Sequence, residues 1–330
     1  MSLTSRLDDF QRRHEWAGYP LAVIYKYADD QGPFLAASIT YYAFVSLFPL
    51  LLLLVTLLGY ALHGNPELQR HLLNSALRQF PVIGDQLGSS ISSLKGKVLA
   101  VVVGIGGSVY GGLGVAQAAQ NAMNRVWAVP RNARPNPIRA RLISLLVLLL
   151  IGGGLLVTTI LSALTTGAGA YGADVGTLTR VLSAIAAVVI NAGLFMVAFR
   201  LLTAGRETFR LVSRGALCAA LSWQVLQELG TLYVGHVVRG STATYGVFSV
   251  VLGLIAWLYL AAVTFVLSAE VNAVRASKLW PRSLLAPFTD SPPLTAADRR
   301  AYGSYPKTEK HKSFEEVDVT FTEPGSSESD

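Results

Sequence analysis

GVFSVVLGLIAWLYLAAVTFVLSA, residues 246–269, runs for twenty-four residues without a charge. Each helical residue rises about 1.5 Å, so about 20 apolar residues cross a hydrocarbon core of about 30 Å. The run is too long for a strand and long enough for a membrane-spanning helix. Five further runs qualify, over residues 34–62, 98–119, 142–168, 181–199 and 215–234, and only that last one holds an acidic residue, Glu228. Lipid offers no hydrogen bonds to the backbone, so spanning segments are helices or closed barrels. The alternating pattern of a barrel is absent. The expected fold is an all-α polytopic bundle of six transmembrane helices.

Composition agrees. Hydrophobic residues make up 52% of the 330 and charged residues 14%, against roughly a quarter charged in soluble domains. The mean hydropathy is +0.45. A net charge of +7 invites a nucleic-acid reading, but the arginines flank the apolar spans, where topology and lipid head groups place them. Membrane lipids are therefore the expected partners and nucleic acid is not. Arg125, Arg131, Arg134, Arg139 and Arg141 crowd the second connection, and Arg200, Arg206, Arg210 and Arg214 the fourth, while the third and fifth hold only Arg180 and Arg239. The positive-inside rule puts the second and fourth connections, and by parity both termini, in the cytoplasm. Residues 1–33 carry mixed charge and no removable signal peptide, which suits a cytoplasmic or interfacial segment.

Residues 34–282 form the expected membrane domain. In its long first connection Leu68, Leu72, Ala76 and Phe80 fall four apart, an amphipathic helix that serves either as a rim element or as a lid. From residue 283 the chain turns to proline, serine and charge, ending in Glu315, Glu316, Asp318, Glu323, Glu328 and Asp330. That composition predicts a disordered acidic tail over 283–330, able to recruit a cytoplasmic protein and removable from residue 290 without unfolding the bundle.

Polar side chains inside the spans are the candidates for function, because lipid makes them costly. Gln224, Gln227, Glu228 and Thr231 stand at i, i+3, i+4 and i+7 on one face of the fifth span. Either they line a cavity, or Glu228 sits near the outer interface beside Arg239 or His236. In the second span Gly107 and Gly111 form a small-xxx-small pair for close packing within the chain or for a homo-oligomer, and Asn121 and Asn124 follow toward Arg125. Pro49 lies inside the first span and frees the carbonyl of Val45, with Tyr42 and Ser46 leading to it. Counted by helical rise, Ser46, Asn191, Gln224 and Trp257 reach similar depth, and Tyr259 follows Trp257. These residues together suggest a midplane polar pocket.

Catalytic chemistry finds little support. His14, His63, His71, His236 and His311 are scattered, and the lone Cys218 excludes an intramolecular disulfide and a zinc cluster. Neither a nucleophile elbow nor a phosphate-cradling loop is present. No metal, cofactor or enzymatic activity is expected.

Three stretches resemble the YihY/BrkB family of bacterial inner-membrane proteins. They are Ser38 through Pro49, Asn124-Arg125-Val-Trp127, and Tyr245-Gly246 through Trp257, Tyr259, Glu270 and Asn272. The resemblance covers about Phe34 to Ala273 and implies six helices and a role in envelope integrity. Members once carried the label ribonuclease BN; a metal-dependent nuclease needs clustered His and Asp ligands that this chain lacks. Glu270 falls about 36 Å of helix after Gly246, at or beyond the cytoplasmic interface, where a salt bridge with Arg125 or Arg275 is expected. Arg125, Glu270 and Asn272 form an interfacial polar cluster in this reading. The leading functional expectation is translocation of a lipid or other amphipathic solute, and the alternative is a membrane scaffold acting through its tail.

Overall fold

A computed structural model describes residues 3–61, 98–170, 177–205, 207–233, 246–289 and 293–321. Among these residues the regular structure is entirely helical. Two short amino-terminal helices, α1 (Leu3–Arg13) and α2 (Glu15–Asp29), precede six long ones: α3 (Gly32–Ala61), α4 (Val98–Val126), α5 (Pro137–Ala170), α6 (Thr177–Leu202), α7 (Phe209–Tyr233) and α8 (Gly246–Ala276). A last helix, α9, covers Ala296–Thr308. Each long helix contains most of one apolar run and extends past it at one or both ends. The amphipathic pattern over residues 68–80 lies outside the described residues.

Consecutive long helices pack on one another, and α8 returns to α3, so α3 to α8 close a ring. Helix α4 also touches α6 and α8 across it, while α2 packs on α8 and α3. More than half of the main buried cluster is alanine, including Ala119, Ala122, Ala216, Ala219 and Ala269, with Phe199 between Phe195 and Phe265. Small side chains let helix backbones approach, which is how helices associate where lipid removes the hydrophobic drive. The outer faces are apolar: Tyr41, Ile105, Leu149, Ile185, Leu221 and Leu252 are all exposed. Helices that bury alanine and expose leucine suit hydrocarbon as solvent. Among the described residues, Pro137–Gly154, Ile185–Leu202 and Val251–Ala276 are long and apolar enough to cross a membrane, and Gly32–Leu47 is a shorter apolar helix.

The α3–α4 contact rests on glycine. A Cβ at Gly107 would lie 2.6 Å from Cγ of Pro49, and one at Gly111 2.6 Å from Cα of Ser46; Gly114 gives its space to the Tyr42 ring. The proline, serine and tyrosine expected to line a pocket are thus seated on the glycine face of α4. The Ser46 hydroxyl donates to the carbonyl of Ala43 at 2.9 Å, not to the Val45 carbonyl that Pro49 frees. The Gly107–Gly111 pair accordingly serves packing within the chain.

Gly215 makes the corresponding approach between α7 and α8, where a side chain would strike the backbone oxygen of Ser268 and the amide of Asn272. Gly215→Ala is expected to cost roughly 1–3 kcal/mol, since a backbone oxygen cannot swing aside. Gly193, where an added methyl would meet nothing within 4 Å, is the control, and its alanine variant should be neutral or slightly stabilising. Thermal midpoints in detergent compare the two; equal midpoints would refute the close contact.

Within the segment whose composition suggests disorder, Ala296–Thr308 forms a helix. Residues 293–321 are described, and α9 opens with a capping box in which the Thr295 hydroxyl accepts from the Asp298 N–H while the Asp298 carboxylate accepts from the Thr295 N–H. Ala297, Asp298, Ala301 and Thr308 are buried. A segment poor in apolar residues is ordered here by charge pairing and capping, terms that composition does not register.

Candidate functional site: a buried ionic network

The ends of α2, α4 and α8 meet where the arginines collect. Ala22, Val23 and Lys26 share the buried face of α2, so the lysine points into the bundle. The helix stops at Asp30, and Gln31 takes a left-handed conformation, φ 59°, before α3 begins. Lys26 pairs with Asp30 one turn on and faces Glu270 of α8 at 3.4 Å. All three are essentially inaccessible, at 2%, 1% and 0% exposure. Arg125 of α4 approaches Asp30 at 3.8 Å from the half-buried side.

Burial disfavours the charge on Lys26, but Glu270 and Asp30 more than offset it and hold the ammonium above its ordinary range. Burial pushes Asp30 upward, against the pull of Lys26. Neither oxygen of Glu270 has a well-aligned hydrogen bond among the described residues, nor does Oδ1 of Asp30. Two carboxyls sharing one ammonium away from water cannot both be fully served. The arrangement can take up a proton, and it couples three helices through charge.

A second layer joins it to the tail. Arg282, fully buried, donates to Asp298 of α9 and to Asp29 at 3.0 Å, and the Tyr305 hydroxyl donates to Asp29 at 2.9 Å. The carbonyl of Arg282 accepts from Gln11 of α1. Farther out, Glu309 binds Arg131 at 2.8 Å and Arg125 at 3.4 Å. The amino-terminal helices and α9 therefore converge on one charged cluster.

The polar residues singled out from sequence fall into separate groups. Arg125, Glu270 and Asn272 do lie at this end, but the partner of Glu270 is Lys26 and not Arg125 or Arg275. Asn272 accepts from the Gly215 N–H at 2.7 Å and donates to the Val212 carbonyl at 3.2 Å. Asn124 accepts from the Ala204 N–H at 3.1 Å. Asn272 is an interhelical tie, as is Gln120, which donates to Ser144 and to the Ala140 carbonyl, while Asn124 ties α4 to the turn after α6. Asn121 is exposed. On α7, Gln224 donates to Glu228 at 3.5 Å, with Gln224 and Gln227 half-buried and Glu228 exposed. Glu228 shares its face with exposed Leu217, Leu221, Val225 and Leu229, the outer face of the ring. Trp257 is buried edge-to-face against Trp223 at 5.4 Å, Tyr259 packs beside the core and Asn191 is half-buried on α6. Ser46, Asn191, Gln224 and Trp257 lie on four different helices, α3, α6, α7 and α8. Equal depth along different helices does not make residues face each other.

Sequence reasoning misses the network because its partners are distant along the chain. One local signal exists: Lys26 and Asp30 at i and i+4, on the same face as Ala22 and Val23, place a charge pair on an apolar stripe. No group of three His, Cys, Asp or Glu side chains placed to hold a metal occurs among the described residues.

Comparison with known proteins supports this picture of a multi-pass membrane protein. No solved structure matches the chain. It is 24% identical over 264 residues to the putative ribonuclease-like protein YfkH of Bacillus subtilis (strain 168), covering 76% of this chain and 92% of that one. The model of the family described as virulence factor BrkB matches residues 23–287, a stretch that starts just before Lys26 and ends just after Arg282. The ring and the Lys26, Asp30 and Glu270 core of the network lie within that match, and the chain belongs to the BrkB family.

Proposed function

We propose that the chain is a six-span protein of the bacterial inner membrane, with its arginine-rich end and both termini in the cytoplasm, and that it moves a lipid or other amphipathic solute along α7. The supporting observation is the Gln224–Glu228 pair, in which the exposed Glu228 sits beside Leu221 and Val225 on the outward face. A charged side chain costs roughly 2.5–3.5 kcal/mol in insertion at the centre of a span, and Glu228, about 9 Å of helix inside the end of its apolar run, carries part of that cost, so a carboxylate there disfavours plain contact with acyl chains. A polar stripe along a lipid-facing helix would give a head group a path while its chains stay in hydrocarbon. In this reading the path is a track on the surface of the ring. The reading is non-enzymatic, and the ribonuclease-like name of the Bacillus protein is not transferred.

Proteoliposomes holding the full chain and a head-group-labelled phospholipid test it. The wild type should move label between leaflets faster than empty liposomes, and Glu228→Gln should slow that movement several-fold while leaving insertion intact. A rate equal to empty liposomes would favour the second reading, a scaffold for envelope integrity. That reading is supported by Asn124, Asn272 and Gln120 acting as ties between elements and by α9 being held in one place.

A further inference from the structure

A cavity of about 260 Å³ opens between the start of α2 and the end of α8, lined by Glu15, Trp16, Tyr19, Pro20, Arg275 and Trp280. It lies outside the ionic network, and neither Gln224 nor Glu228 lines it. We propose that it binds the head group of a zwitterionic, amine-bearing phospholipid, with the phosphate at Arg275 and the ammonium at Glu15.

Four observations lead there. First, the cavity presents one cation and one anion, and among the described residues neither Arg275 nor Glu15 makes an ion pair or a side-chain hydrogen bond within the protein. They line one cavity without pairing to each other, which leaves both charges for a ligand carrying the opposite two. Second, the level is right. The uncharged run of α8 ends at Ala269, and six residues more bring Arg275 about 9 Å beyond it. Head-group layers add roughly 5–8 Å to each side of the hydrocarbon core, so the backbone of Arg275 stands at their outer edge and its long side chain reaches back into them.

Third, the walls are aromatic. Tyr19 and Trp280 meet edge-to-face at 5.4 Å, with the Tyr19 hydroxyl anchored on the Val271 carbonyl, and Trp16 is 71% exposed. Tryptophan and tyrosine concentrate at the membrane interface. Fourth, the surroundings suit a bilayer surface: Leu7 and Phe10 of α1 are exposed, and Phe10, His14 and Trp16 stack into one outward aromatic group. The cavity is smaller than the roughly 300–1,000 Å³ that takes a drug-sized ligand, so it admits a head group and leaves acyl chains outside. Arginine serves the phosphate through its planar, multi-donor fork.

The test uses the full chain in detergent, titrated with phosphatidylethanolamine and, separately, phosphatidylglycerol, with bound lipid counted by native mass spectrometry. The wild type should prefer the ethanolamine lipid by about fivefold, the ratio that a surface ion pair of about 1 kcal/mol gives. Glu15→Gln should bring that preference to about one without lowering phosphatidylglycerol binding. Arg275→Gln should weaken both lipids, and Arg275→Lys should restore part of the loss. Both positions are exposed, so the variants should keep the wild-type thermal midpoint. Equal retention of the two lipids by the wild type, or an unchanged preference in Glu15→Gln, would overturn the proposal. Because the readout is binding, a failure of lipid movement in proteoliposomes leaves it standing.

Discussion

Substituting Lys26 by methionine should lower the stability of the bundle by roughly 3–5 kcal/mol, the range for removing one partner of a buried ion pair. The isosteric stem keeps the packing, so the loss isolates the charge. Asp30 and Glu270 would remain facing each other without water, at 1% and 0% exposure, with Arg125 3.8 Å from Asp30 and half out of reach. The sign of the pH dependence follows. Burial already holds Asp30 above the usual carboxylate range, and removing the ammonium takes away the group that pulled it down. Protonation of the buried carboxyls then relieves the repulsion, so the deficit of the variant should shrink on acidification and be largest at neutral pH and above. Adding Glu270→Gln to Lys26→Met should recover part of the loss, a positive coupling between neighbours. Equal midpoints for Lys26→Met and wild type in detergent at pH 7 would show that the pair carries no such role.

Arg282→Met should be comparably severe, again by roughly 3–5 kcal/mol. It leaves Asp298, which is fully buried, and Asp29 without their guanidinium. Asp298 also closes the capping box of α9, so the tail should loosen along with the bundle. Limited proteolysis gives the measurement: cleavage between residues 284 and 310 should accelerate in Arg282→Met and stay slow in wild type. Removal of residues 290–330 takes away Asp298, Tyr305 and Glu309 together and should lower the midpoint as well, contrary to what tail composition suggests. A truncated chain as stable as the full one would show that α9 contributes nothing to the bundle.

The apolar runs announce six long helices, and the glycines at 107 and 111 announce a close contact, because both are properties of one segment at a time. Counting helical rise places Glu270 at the correct end. It does not find the partner, since a lysine more than two hundred residues earlier leaves no periodic trace. The capping box is written in the sequence as Thr295 followed three residues later by Asp298, a known helix-start pattern. The surrounding proline, serine and charge outweigh it. A pocket around Ser46, Asn191 and Trp257 is beyond what the sequence can place for another reason: depth is a one-dimensional quantity, and facing requires the azimuth of each helix, which only packing sets.

The pairing of Arg282 with Asp29, 253 residues apart, and of Tyr305 with Asp29, 276 apart, has a bearing on how the protein is made. The amino-terminal half of the cluster leaves the ribosome first, and Lys26, Asp29 and Asp30 wait at the membrane surface while the long helices are inserted. Glu270 reaches Lys26 only with the last of these, and Asp298 and Tyr305 follow later still. Until then the nascent chain exposes unmatched charge at the place where the finished protein is driest. A chain broken off before residue 270 keeps that mark permanently, with Lys26 and Asp30 lacking Glu270 and with Asp29 lacking Arg282.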